Sequence, residues 1–122
     1  MISLNYRGNL PLHEQISSEF KELIFSGRLK EEEKLPSVRE LAVSLTVNPN
    51  TVMRAYRDLE SEGFICSVQG KGNFVAPKSG TDEVRINELY SEARSCMREL
   101  CWRGEGIEKI TEIAKKVYEE GE

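Results

Sequence analysis

The residues of this 122-residue chain best suited to chemistry are amides, hydroxyls and cations. The stretch "VNPNTVMRAYRDLE" carries Asn48, Asn50, Thr51, Arg54 and Arg57, "LPSVREL" carries Ser37 and Arg39, and "QGKG" carries Gly70 and Lys71. Guanidinium and ammonium groups neutralise phosphates, while hydroxyls and helix-terminal N–H groups donate hydrogen bonds to them. Arg39, Arg54, Arg57 and Lys71 suit the first role, and Ser37 and Thr51 the second. Asn50, Thr51 and Arg54 also have the shape and polarity to read base edges. This is binding chemistry and breaks no covalent bond.

Residues for catalysis or metal binding are not grouped in this way. His13 is the only histidine and has neither a cysteine nor a second histidine nearby, whereas histidine chemistry needs partners. The three cysteines, Cys66, Cys96 and Cys101, show no Cys-x-x-Cys spacing, so they read as reduced thiols, with Cys66 expected to pack in a strand. Cys96 and Cys101 lie roughly 140° apart around a helix, which disfavours a shared metal. No phosphate loop or Ser/His/Asp order is present either. The expectation is a protein that is not an enzyme and needs no cofactor or metal.

The binding residues need elements to hold them. "PLHEQISSEFKELIFSG" sets Leu12, Ile16, Phe20, Leu23 and Ile24 on one helical face and ends at Gly27. Ser37 and Glu40 form a Ser-x-x-Glu capping box for a short second helix with Leu41, Ala42 and Leu45 inward. Arg39 in its first turn opposes the helix dipole, and a partner's phosphate would relieve that conflict. Thr46 and Val47 then make a tight turn, Asn48 caps a third helix and Pro49 opens it. Val52, Ala55, Tyr56 and Leu59 give that helix its inner face, and Gly63 stops it. "FICSV" and "NFVAP" read as strands joined at "QGKG", with Lys71 at the tip. Helix, helix, tight turn, helix and hairpin is the order of a winged helix-turn-helix. The fold class is therefore mainly α with a small β-hairpin.

Pro, Ser and Gly cluster in "APKSGTD", which divides the chain into residues 1–78 and 79–122. The first part carries 10 Lys/Arg and 10 Asp/Glu, the second 7 and 11, so all the excess acid lies in the tail. The tail reads as a helical hairpin. Ile86, Leu89, Ala93, Cys96, Met97 and Leu100 line one helix, and Ile107, Ile110, Ala114 and Val117 line the next. Two helices cannot bury both stripes alone, so the tail is expected to dimerise with its copy. Packing of the tail onto its own winged domain is the alternative. A tail of this length cannot enclose a common ligand cavity by itself, which places any small-molecule effector at an interface. Nothing approaches a membrane span, and "MISLNYRGNL" has no continuous apolar signal segment, so a cytoplasmic location is expected.

The run from Leu35 to Pro77, extended back to Pro11 by "PLHEQI", resembles the DNA-binding half of GntR-family bacterial transcriptional regulators. "VNPNTVMRAYRDLE" with so short a tail is similar to the YtrA-type subfamily. The resemblance implies a homodimeric repressor on double-stranded DNA with an inverted-repeat operator, controlling a transporter or neighbouring operon. It also implies contacts from Ser37, Arg39, Asn50, Thr51, Arg54 and the Gly70 to Gly72 wing. Pro49 and Met53 stand where many relatives carry arginine, so base preferences do not transfer. "KEEEK" replaces the usual Pro-Gly loop and is expected to face away from DNA. The competing reading, suggested by the neutral first part and acidic tail, is a winged-helix protein-interaction module without specific DNA binding.

Overall fold

The computed structural model describes residues 2–77 and 83–120. Part of the expected joint, residues 78–82, lies outside them. The chain divides into two compact units, Met1–Lys78 and Ser79–Glu122.

The first unit contains α1 (Leu12–Phe25), α2 (Val38–Leu45), α3 (Pro49–Ser61), β1 (Ile65–Val68) and β2 (Gly72–Val75). Helices α1 and α2 both pack against α3, whose inner face of Val52, Ala55, Tyr56 and Leu59 is buried. Ile16 and Phe20 reach it from α1, Leu41 and Ala42 from α2, and Leu35, Ile65 and Val75 close the sides. Burying each large apolar side chain here is worth roughly 1.5–3 kcal/mol. Phe20 meets Tyr56 edge to face with ring centroids 5.6 Å apart.

Strands β1 and β2 pair antiparallel, Ile65 opposite Val75 and Val68 opposite Gly72. Gly70 and Gly72 take φ of 79° and 117°, a region L side chains avoid, which lets the chain reverse at Lys71. The acidic segment before α2 adds a partial third edge: Lys34 bridges Phe74, Glu32 N–H donates to the Val75 carbonyl and Val75 N–H to that of Glu33, both at 2.9 Å. "KEEEK" is thus part of the wing's support, a role its charge pattern does not announce.

The first ten residues also have a structural job that sequence periodicity misses. Ile2 and Leu4 pack against the core. The Gln15 side chain clasps the arm: its Oε1 accepts from Asn5 N–H at 2.7 Å, and its Nε2 donates to the carbonyls of Asn5 and Leu10 at 2.8 Å. Tyr6 OH donates to the Leu45 carbonyl at 2.6 Å, satisfying one of the acceptors that every helix end leaves open.

The second unit consists of α4 (Glu83–Trp102) and α5 (Ile107–Glu120), joined through Gly104 at φ 91°. The helices fall where their apolar periodicity puts them, but they scarcely touch along their flanks. Among the described residues of this unit no side chain is buried, and Ile110 alone is half-buried. Leu89 is 47% and Val117 56% exposed, so both apolar stripes stand uncovered. No helix among the described residues is long and apolar enough to cross a membrane.

Candidate nucleic-acid interface

The start of α3 is built by three local devices. Thr46 adopts the left-handed conformation at φ 56°, ψ 50° as the last turn of α2 closes, and Val47 N–H returns to the Ala42 carbonyl at 3.0 Å. Asn48 sits in extended backbone, and its Oδ1 accepts from Asn50 N–H at 2.8 Å. Pro49 takes the first helical position, where no N–H is missed. One helix therefore ends at Leu45 and the next starts at Pro49, four residues on.

This restart aims a polar face outward. Asn50, Arg54 and Arg57 are exposed and line one shallow groove on α3 together with Met53 and Asp58. Thr51 is half-buried in the first turn, and Asn48 is turned into the cap, with its amide NH2 left to donate. Met53, 42% exposed, belongs to this groove although its type does not suggest a polar contact. Its position, three residues after Asn50, is the signal that places it there.

At the head of α2 the capping box is complete: Glu40 N–H donates to Ser37 Oγ at 3.0 Å and Ser37 N–H to Glu40 Oε1 at 3.3 Å. Hydrogen bonds from the Ser37 hydroxyl and then its backbone N–H hold the Glu40 carboxyl below the usual glutamate range. Arg39 is exposed beside it. Gly70 and Lys71 lie apart from both helices' heads, at the exposed hairpin tip.

Tyr56 ties this construction to the core. It is 4% exposed and its OH donates to the Pro36 carbonyl at 2.7 Å, fastening α3 to the residue just before the α2 cap. Burial, and secondarily the charge of Glu40, pushes its phenol well above the ordinary tyrosine range.

Lys21, Arg85, Arg103 and Lys116 are each paired with a carboxylate. Arg39, Arg54, Arg57 and Lys71 have no ion-pair partner among the described residues. All four are exposed, on α2, α3 and the hairpin tip, and among the described residues they share the unpaired state with cations elsewhere such as Arg28, Arg94 and Lys109. Among the described residues no group of His, Cys, Asp and Glu is arranged to hold a metal ion. Cys66 is half-buried and Cys96 and Cys101 are exposed, all three as free thiols. The strand position of Cys66 is as expected, and both it and its cross-strand partner Phe74 are half-buried.

Known proteins share this arrangement. Residues 12–75 match the family described as bacterial regulatory proteins, gntR family. The chain is 35% identical to the HTH-type transcriptional repressor YtrA of Bacillus subtilis (strain 168), over 96% of this chain and 92% of that protein. Its fold matches the crystal structure of a transcriptional antiterminator from Listeria monocytogenes EGD-e with a TM-score of 0.83 and 36% identity, covering 95% of this chain and 88% of that one. The DNA-binding domain of AraR, solved in complex with operator ORR3, matches 61% of this chain and 89% of its own length at a TM-score of 0.54 and 35% identity. With the restarted helix, the capping box and the glycine wing in place over a matched segment spanning more than half its length, the chain belongs to the gntR family of bacterial regulatory proteins.

Proposed function

We propose that the protein is a sequence-specific DNA-binding transcriptional repressor that acts as a homodimer in the cytoplasm, with no enzymatic activity. The observation that carries this reading is the exposed polar face of α3, where Asn50, Arg54 and Arg57 line one groove at the start of a helix capped by Asn48. In the proposed complex α3 enters the major groove, Asn50, Thr51 and Arg54 meet base edges, and the guanidinium groups of Arg54 and Arg57 each neutralise a phosphate. Ser37 and Arg39 contact the backbone at the head of α2, Asn48 donates its free amide N–H groups, and Lys71 follows the backbone from the wing beside Gly70. The AraR domain bound to its operator supports this mode for a related fold.

The uncovered stripes of α4 and α5 are assigned to the dimer, through Ile86, Leu89, Ala93, Cys96, Met97 and Leu100 on the first helix and Ile107, Ile110, Ala114 and Val117 on the second. A two-fold dimer asks for an inverted-repeat operator with matching half-site spacing. Repression follows the likeness to the repressor YtrA, and a transporter or neighbouring operon is the target that the YtrA-type resemblance of the sequence implies. Binding of the purified protein to DNA from upstream of its own gene, against scrambled DNA over a salt series and with light scattering on the same samples, tests the proposal. Dimers that prefer the upstream DNA support it. Equal weak binding to both DNAs, or a monomer at micromolar concentration, overturns it.

A further inference from the structure

The tail buries no side chain among its described residues, so a single chain has no interior there for an effector. The N-terminal unit offers an open concavity instead. A cavity of about 420 Å3 lies between the N-terminal arm, α1 and α2, within the size range of small-molecule sites. Its walls are apolar, from Ile2, Phe20, Pro36, Leu41 and Leu45, and its polar lining is Glu40 and Ser44. Phe20 and Leu41 are 1% and 6% exposed, which makes the floor part of the packed core. Glu40 is exposed at the rim, where its Oε1 accepts from Ser37 N–H and the Ser37 hydroxyl also meets its carboxyl, while the exposed Ser44 hydroxyl has no hydrogen-bond partner among the described residues.

We propose that this cavity is an effector site for a small apolar amine. The hydrocarbon body would lie on Phe20, Leu41 and Leu45. The ammonium would donate to Glu40 Oε2 and the Ser44 hydroxyl, the one anionic and the one hydroxyl group of the lining. The site is placed to act on the helix-turn-helix because its lining holds that motif together. The Pro36 carbonyl anchors Tyr56 of α3, the Leu45 carbonyl anchors Tyr6 of the arm, and Glu40 completes the cap with Ser37. An ammonium that draws Glu40 toward the cavity loosens the Ser37 cap at the head of α2 and lowers DNA affinity. Only this last step rests on the DNA-binding reading.

The test uses the full chain with labelled Ile and Leu methyl groups, titrated in NMR with 2-phenylethylamine and with 2-phenylethanol as its neutral counterpart. The expected result is saturable shifts confined to Ile2, Leu41 and Leu45, with the amine binding about fivefold or more tighter than the alcohol. Glu40→Gln keeps a capping-box side chain and is expected to remove that preference while alcohol binding persists. Equal binding of the two probes, or shifts centred elsewhere, overturns the site. In a parallel anisotropy assay the amine is expected to weaken operator binding of the unsubstituted protein by about fivefold or more, the lower end of ordinary coupling, and to leave Glu40→Gln unaffected. Occupancy in NMR with unchanged operator affinity overturns the coupling. Failure of the protein to bind any DNA overturns the proposed function, and the methyl shifts still decide the site.

Discussion

Replacing Lys71 with alanine tests the proposed phosphate contacts most directly, because the expected change is in the salt dependence and not only in affinity. Each protomer offers Arg39, Arg54, Arg57 and Lys71 without internal partners among the described residues. A dimer seating all of them neutralises about eight phosphates, and each contact contributes about −0.9 to the slope of log affinity against log salt, for a total near −7. Lys71→Ala removes two contacts and brings the slope to about −5.4. Between about 50 and 200 mM salt, affinity would then fall by about four orders of magnitude for the unsubstituted protein and about three for the variant. Fluorescence anisotropy on a labelled operator fragment measures both lines. Lys109→Ala, which removes an exposed cation from α5, serves as the control and should leave the slope at its original value. A Lys71→Ala slope equal to that of the unsubstituted protein would refute the wing contact, and an unsubstituted slope near −2 would refute the whole cation set.

Three further outcomes follow from the geometry. Tyr56→Phe keeps the ring against Phe20 but leaves the Pro36 carbonyl without its donor, so the first unit should lose about 1–2 kcal/mol; urea titration read by amide NMR in α3 checks it, since Trp102 lies in α4 and its fluorescence follows the other unit. Ser37→Ala removes the N-cap acceptor of α2 and should cost about 1 kcal/mol. It should also flatten an acid dependence: because the folded Glu40 carboxyl titrates below its ordinary range, its contribution is present above that range and is lost as pH falls through the depressed value, and the gap between the stability curves of the two proteins should narrow in acid to the cost of the lost cap bond. Leu89→Glu, at a 47% exposed position on the α4 stripe, should convert dimer to monomer in light scattering while the first unit's NMR spectrum is retained; a dimer of unchanged mass would remove α4 from the interface.

The parts of the fold legible in the sequence are those whose signals are local. The Ser37 to Glu40 box, the Asn48 cap with Pro49, and the Gly70 to Gly72 reversal each depend on residues within four positions of one another, and each has one stereochemical solution. The arm was not legible, because Tyr6 finds its acceptor 39 residues away in Leu45 and nothing near Tyr6 encodes that distance. The edge formed by Glu32 to Lys34 was hidden for a related reason: it pairs through backbone groups, and its side chains give no alternation to read. Among the site residues, side-chain type identified Asn50, Arg54 and Arg57, whereas Met53 enters their groove through helical spacing alone. The tail divides in the same way, with helix positions set by apolar period and the exposed state of those apolar faces encoded by no local signal.

That last feature has a consequence for dosage. Helices of 20 and 14 residues without a buried side chain gain little from their own packing, and isolated helices of this length are marginal in water. If each copy supplies the other's interior, ordering of the tail and pairing of the chains are a single event whose yield depends on concentration. At low expression the amount of active regulator then rises with the square of the number of chains made. Doubling synthesis would about quadruple the occupied-operator signal in that regime, giving a sharp threshold to a protein with one short tail and no separate sensing domain in its described residues.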